Sequence, residues 1–428
     1  MPEKPPALVM NMFYTGLGIA RTLGQHGIPV IGLSSVRGGY GNFTRYARTV
    51  LTPDSRHEPE ALLETMLRLG EKLGRRSVVF PTRDDDLQFL DRYREQLSPH
   101  FNLVIPERSV LETCLDKWET SLWAKQAAVA TPRCWMVESE EDLLRLHGDL
   151  SFPCVMKPIA SHHWRLGSNW KTVGERKAIG VSSWSQLLAE YAVISQAGKR
   201  VLLQEMIEGP DNMLVIMACY FDRKSNCLAS FNTRKLLQSP ESFGTGCIVQ
   251  AENHPELYEP SVRLLKAINF TGIAEVEYKW DAVQKDFSLI EVNARPWDQH
   301  RLGYASGNDL IYLAYCEHAE LPMPPAPAHA FDTGQPVKWV AEDSLLFAIL
   351  RMLRRRDPRW RSLSTLLRGK RIYALWSVRD PLPLFVFVFT QALPDLVASM
   401  VGRVTAALKA CWTFGGARSE KRLEGRGL

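Results

Sequence analysis

Two short stretches, Val276-Glu277-Tyr278 and Leu289-Ile290-Glu291-Val292-Asn293, alternate apolar with polar residues, and few structures satisfy that pattern. A period of two marks a half-buried strand, one face packed and the other turned away from the core. Asp281–Asp286 between them reads as a turn, so the pair predicts a β-hairpin. Glu277, Glu291 and Asn293 then share one face. Three oxygen donors converging from neighbouring strands suit Mg²⁺, which takes one or two carboxylates and completes its octahedron with phosphate and water. A solvent-facing polar stripe on an edge hairpin would give the same pattern.

The N-terminal part reads differently. Ala7–Met10 is a short apolar strand, followed by a turn at Thr15-Gly16-Leu17-Gly18, a helical run Ile19–His26, a stop at Gly27 and a second strand at Ile28–Leu33. This strand–helix–strand order implies a parallel, doubly wound sheet. A full GxGxxG is absent, so the glycines are read as a structural turn. Ser77–Pro81 is a further buried strand, and the acidic run Asp84-Asp85-Asp86 after it fits the first turn of a helix, where carboxylates complement the dipole. Substrate contact is the second reading of that run.

From Leu115 the pattern changes to short helices among strands at Cys134–Val137, Phe152–Pro158, Arg200–Gln204, Met213–Phe221, Gly272–Tyr278 and Phe287–Asn293, an α+β arrangement. Lys117 stands at a helix start and Lys157 at the end of an apolar strand before a proline. Lysines so placed serve as point charges for phosphate oxygens, although a solvated side chain is the ordinary fate of any one lysine. Between Ile159 and Ile179 lies a polar, glycine-containing stretch that reads as a mobile flap over phosphates.

These segments together carry a resemblance. Asp116-Lys117, Phe152-Pro153-x-Val155-x-Lys157-Pro158, Gln204-Glu205-x-Ile207-x-Gly209-x-Asp211, Gly272–Glu277 and Glu291-Val292-Asn293-Ala294-Arg295 stand in the order and spacing of the ATP-grasp superfamily. The chain resembles its ATP-dependent carboligases, the group that also resembles D-aspartate ligase, over about residues 7–320. The resemblance implies a pre-ATP-grasp α/β domain (1–110), an ATP-grasp catalytic domain (111–325) and a C-terminal helical extension (326–428). It implies ATP phosphates on Lys117 and Lys157, adenine against the hinge Gln204, Glu205, Met206 and Ile207, and the ribose on Asp211. It also implies Mg²⁺ (or Mn²⁺) on Glu277, Glu291 and Asn293, and catalytic charge from Arg295, Arg234 and Lys235. The flap departs from the family in carrying Trp164 and Trp170, which leaves open whether Lys171 or Lys177 serves in it. The activity implied is ligation of a carboxylate to an amine through an acyl phosphate. Bicarbonate activation and a non-catalytic ATP-binding scaffold are the alternatives.

Charge bears on partners. The chain carries 52 basic and 47 acidic side chains, a net +5, but residues 341–428 alone hold 16 basic against 7 acidic. The remainder, 36 against 40, is slightly acidic, so the excess argues against nucleic acid and for a local role of one segment. Arg351–Arg371 interleaves basic with apolar residues, and the apolar run Leu384–Phe389 follows. Interfacial contact through 351–401 with an anionic membrane surface, and a lipid-linked acceptor, is one expectation; packing on the catalytic body is the other. Isolated cysteines and an N-terminus without a signal pattern suggest the cytoplasm.

Overall fold

The computed structural model describes residues 4–394 except 162, 166, 199, 242 and 326–335. Five parallel strands, β1 (Ala7–Met10), β2 (Val30–Ser34), β3 (Arg48–Leu51), β4 (Ser77–Phe80) and β5 (Phe101–Leu103), form the first sheet in the order β3-β2-β1-β4-β5. Both faces of β1 and β4 are buried, which is why Ala7–Met10 and Ser77–Phe80 read as unbroken buried runs.

Helix Tyr14–Gln25 begins earlier than the glycines suggested, so Thr15-Gly16-Leu17-Gly18 is its first turns and not a loop. Gly16 is needed for close approach. A Cβ there would lie 1.8 Å from the Asn11 carbonyl oxygen.

The second sheet is small and antiparallel: β6 (Cys134–Val137), β7 (Cys154–Pro158), β8 (Ile179–Val181) and β9 (Val201–Glu205), in the order β6-β9-β7-β8. The third has seven strands: β10 (Leu214–Phe221), β11 (Cys227–Ser239), β12 (Thr245–Glu252), β13 (Gly272–Asp281), β14 (Asp286–Asn293), β15 (Val337–Val340) and β16 (Lys370–Tyr373). Its order is β14-β13-β10-β11-β12-β15-β16, antiparallel except for β15 on β16. β13 and β14 make the predicted hairpin, with Glu277 opposite Glu291 and Glu275 opposite Asn293.

The C-terminal segment is less separate, and less purely helical, than expected. β15 and β16 extend the third sheet, and Leu345, Ala348 and Met352 of helix Glu342–Arg355 are buried in the same core as Val249 and Trp339. Arg21, fully buried in helix Tyr14–Gln25, pairs with Asp380 at 2.8 Å and donates to the Ala374, Leu375 and Asp380 carbonyls. Over 337–387 the body-packing expectation therefore describes most of the apolar residues. Part of 351–401, residues 395–401, lies outside the described residues. Among the described residues no helix is long and apolar enough to cross a membrane.

Candidate active site

One cavity of about 660 Å³ lies where the three sheets meet, and it collects most of the residues singled out in the sequence. Its lining includes Lys117, Lys157, Gln204, Glu205, Met206, Ile207, Asp211, Lys235, Glu277, Glu291, Asn293 and Arg295.

Each is positioned by local chemistry. Asp116 caps helix Lys117–Gln126 by accepting the Trp118 and Glu119 N–H groups at 2.8 and 3.0 Å, which places Lys117 in the first turn. Its ammonium donates to Ser161 Oγ at 2.9 Å and lies 3.9 Å from Glu291. Lys157, at the end of β7, donates to Gln204 Oε1 at 2.6 Å across the β7–β9 ladder. Lys235 of β11 reaches over β10 to Glu277 Oε2 at 2.5 Å.

The electrostatics are those of a site prepared for anions. Burial lowers the Lys157 pKa against the pull of Glu291, and the nearby Lys117 charge lowers it further. Burial also disfavours the Lys235 ammonium, but Glu277 and Glu275 outweigh it and hold its pKa above the ordinary value. Glu291 behaves in the opposite sense to its burial: Lys117, Lys157 and Lys235 keep its carboxyl below the usual range. Three ammonium groups around ionised carboxylates can neutralise a polyphosphate and a divalent cation together.

Glu277 and Glu291 offer carboxylate oxygens, and Asn293 turns its Nδ2 to Glu275 Oε2 at 3.0 Å and to Glu291 Oε1 at 3.4 Å while its Oδ1 accepts a long 3.4 Å contact from Arg295 Nη2, the one bond a cation there would displace. Among the described residues no three His, Cys, Asp or Glu side chains converge as a self-sufficient metal cage. Two carboxylates and an amide fit Mg²⁺, which draws its remaining ligands from phosphate and water.

Two placements differ from expectation. Arg234 is one register position from Lys235 and so turns to the other side of the sheet, where it binds Glu252, His254 and the Asn212 carbonyl. It does not line the cavity. Glu205 lines the hinge, but its carboxylate is engaged outward by Arg133 and Ser151. Its side chain is thus committed elsewhere, and the hinge presents backbone. Lys279 secures that hinge by donating to the Ile207 and Gly209 carbonyls at 2.7 and 3.0 Å.

Of the acidic run, Asp86 caps its helix and Asp85 pairs with Arg56, as the structural reading held. Asp84 instead enters the cavity and binds Arg295 Nε at 2.6 Å. Burial would raise its pKa, but Arg295, with Lys117 and Arg165, holds it below the ordinary carboxylate value.

In the flap, Lys177 lines the cavity and Lys171 does not, while Trp164 is 2% exposed and packs into the core of the second sheet. That segment is therefore anchored, in contrast to the unpacked flap expected.

The sequence reading missed Glu275, whose burial and neighbour Glu277 push its pKa up to about 8. Extending the alternation two residues back from Glu277 would have found it. Thr15, Arg165, Gln238 and Asp298 also line the cavity and carry no comparable local signal.

Lysines and a carboxylate–amide hairpin face each other across a cleft between two antiparallel sheets, the arrangement that the ATP-grasp resemblance implied. Residues 116–316, just under half of the chain, match the family described as carbamoyl-phosphate synthase L chain, ATP binding domain. The chain is 22% identical to D-aspartate ligase of Enterococcus faecium, over 59% of this chain and 62% of that one. The matched part is thus under two thirds of that ligase's length. Among solved structures, the L-amino acid ligase of Bacillus licheniformis superposes with a TM-score of 0.59 at 16% identity, covering 78% of this chain and 79% of that one. The biotin carboxylase domain of Hydrogenobacter thermophilus 2-oxoglutarate carboxylase, solved with MgADP and bicarbonate, gives 0.60 at 16% identity, over 77% and 72%. At such identities the structural likeness is one of fold.

Proposed function

We propose that this chain is an ATP-dependent carboxylate–amine ligase. The observation that carries the reading is the set of three lysines, Lys117, Lys157 and Lys235, gathered around Glu277 and Glu291 in one cavity. The γ-phosphoryl of ATP passes to a carboxylate oxygen, giving ADP and an acyl phosphate. An amine then attacks the acyl carbon, phosphate leaves with the C–O bond electrons, and the nitrogen gives up a proton. A carboxylate is a poor electrophile at neutral pH, and phosphorylation turns its oxygen into a leaving group.

Lys117 and Lys157 hold the phosphates, Lys235 fixes Glu277, and Arg295, set by Asp84, steadies negative charge on the transferring group. The hinge Gln204–Ile207 holds adenine and Asp211 the ribose hydroxyls. Mg²⁺, or Mn²⁺, on Glu277, Glu291 and Asn293 supplies Lewis-acid neutralisation of the phosphate charge. The D-aspartate ligase likeness favours an amine acceptor over bicarbonate.

The test is phosphate release from Mg-ATP over a panel of carboxylate–amine pairs. Stimulation by a pair, lost by about a hundredfold or more in Glu291→Ala, is the expected result. Stimulation by bicarbonate alone would replace this reading with the carboxylase one. Tight nucleotide binding without turnover under any condition would leave the scaffold.

We also propose a cytoplasmic placement with contact at an anionic membrane surface, and hence a lipid-linked acceptor. The support is an uncharged helical stripe, Leu382, Phe385, Phe389 and Leu393, between 43% and 66% exposed, beside the exposed Arg379. Co-flotation with phosphatidylglycerol vesicles that is lost in Phe385→Ser/Phe389→Ser supports this placement. Equal recovery of both proteins with the vesicles, or of neither, overturns it.

A further inference from the structure

The exposed apolar stripe near the C-terminal end of the described residues does not stand alone. Its first turns, helix Leu382–Phe387, pack on the first domain at the short helical turn Tyr40–Phe43. Phe387 meets the Tyr40 ring edge-on at 6.3 Å, and with Leu17 and Leu375 the two form a small apolar cluster of their own. A polar contact clamps the same junction. Asp380, two residues before the helix, accepts the Thr44 hydroxyl at 2.6 Å and the Arg45 N–H at 2.9 Å while it is paired with Arg21. Arg45 and Asp380 are 335 positions apart, so the clamp joins two distant parts of the chain.

What borders this junction on the outside is apolar and basic. Phe43 and Arg45 flank the clamped Thr44, Val378 and Arg379 precede Asp380, and all four are exposed. Arg37 and Arg48, on the same first-domain segment, are exposed as well. Among the described residues none of these four arginines makes an ion pair.

Acidic residues are missing from both sides. The stretches 35–53 and 376–394 hold one in 38 residues, Asp380, where the chain's 47 in 428 would place about four. That one is 1% exposed and is spent on Arg21, Thr44 and Arg45. The chemistry of the surface limits what can cover it. A second copy of this chain meeting it face to face would set arginine against arginine, since an isologous contact brings like patches together. Aromatic and aliphatic side chains among unpaired arginines, with no exposed carboxylate to repel phosphate, match the headgroup region of an anionic bilayer.

We propose that the membrane contact is composite: Phe43 and Arg45 of the first domain enter an anionic lipid surface together with Leu382, Phe385 and Phe389, and the Asp380 clamp holds the two halves as one face. The inference rests on the membrane placement above and deepens it. A clamped face fixes the orientation of the catalytic body on the bilayer, whereas a separable tail would leave it free.

Vesicle partition of full-length protein tests the first-domain half by itself. Wild type and Phe43→Ser/Arg45→Ser, which leaves the C-terminal stripe intact, are floated with phosphatidylglycerol and with phosphatidylcholine vesicles. The expected result is a partition coefficient roughly tenfold lower for the variant on phosphatidylglycerol, and weak recovery of both proteins on phosphatidylcholine. Arg45→Glu, which removes no apolar group, should lose about as much and keeps the test open should the double variant fold poorly. Equal partition of wild type and both variants, with Phe385→Ser/Phe389→Ser still defective, overturns the composite face and leaves a tail that docks by itself. No flotation of wild type on either vesicle is a different result: it overturns the membrane placement, and the composite face with it.

Discussion

Two buried ion pairs in this molecule look alike and behave as opposites. Arg21–Asp380 joins the first domain to the C-terminal segment with 0% and 2% of the side chains exposed. The guanidinium gives three more of its five N–H donors to backbone carbonyls, while Asp380 also accepts from Thr44 Oγ1 and the Arg45 N–H. Every nitrogen and oxygen of the two charged ends has a partner within the protein. Lys235–Glu277 is nearly as buried, yet it opens on a cavity where Lys117, Lys157, Glu291 and Asn293 retain capacity for another partner. A saturated pair holds structure together, and an unsaturated one waits for a ligand. Burial and charge alone do not separate the two; the count of satisfied lone pairs and protons does.

The largest effect should come from breaking the saturated pair. Arg21→Met strands Asp380 without its cation and should cost about 3–5 kcal/mol by urea unfolding. Arg21→Met/Asp380→Leu should recover much of that loss, since replacing both charges removes the unpaired one. A single variant as stable as wild type would break the contrast.

Next comes the neighbouring pair of candidates on β11. Lys235→Ala should reduce turnover on the order of tenfold to a hundredfold, by removing a charge-assisted contact at the phosphate site. Arg234→Ala, on the other side of the strand, should lower activity at least tenfold less and cost roughly 1 kcal/mol of stability. Equal kinetic losses would return Arg234 to the catalytic set.

The smallest effect is one of pH. Asp84 ionises near 3.8 in an unfolded chain and below that in the fold, mainly through Arg295 acting against burial. Its contribution is thus fully present above about pH 4 and lost as pH falls through the lower, folded value. Asp84→Asn should be less stable at neutral pH, with the gap to wild type closing below pH 4 in acid unfolding. A gap independent of pH would mean that Asp84 contributes no charge to the pairing.

The legible parts of this protein were those with a local period. The Glu277/Glu291/Asn293 face follows from alternation across a hairpin, and the same rule excludes Arg234 once Lys235 is placed inward. The three inner strands of the parallel sheet, β1, β2 and β4, were visible as apolar runs because both their faces are buried, whereas the edge strands β3 and β5, half-exposed, carried no such run. All three carboxylates of the acidic run lie in the first turn of their helix, as read, and only the fold shows that Asp84 alone of them also lines the cavity, which belongs to the second reading.

Residues 337–387 were the hardest to read. Nothing local distinguishes an apolar face that meets solvent from one that meets a sheet edge, and here β15 pairs with β12 from another part of the chain. The contact between Thr15 and Asp298 in the cavity lining is of the same kind. Thr15 and Asp298 are 283 positions apart, and only folding brings the hydroxyl to the carboxylate. The sequence by itself determined which residues alternate, which cap and which lysines end a strand, because these depend on neighbours within a few residues. The tertiary structure decided which charges find partners, since pairing depends on distances that no local spacing encodes.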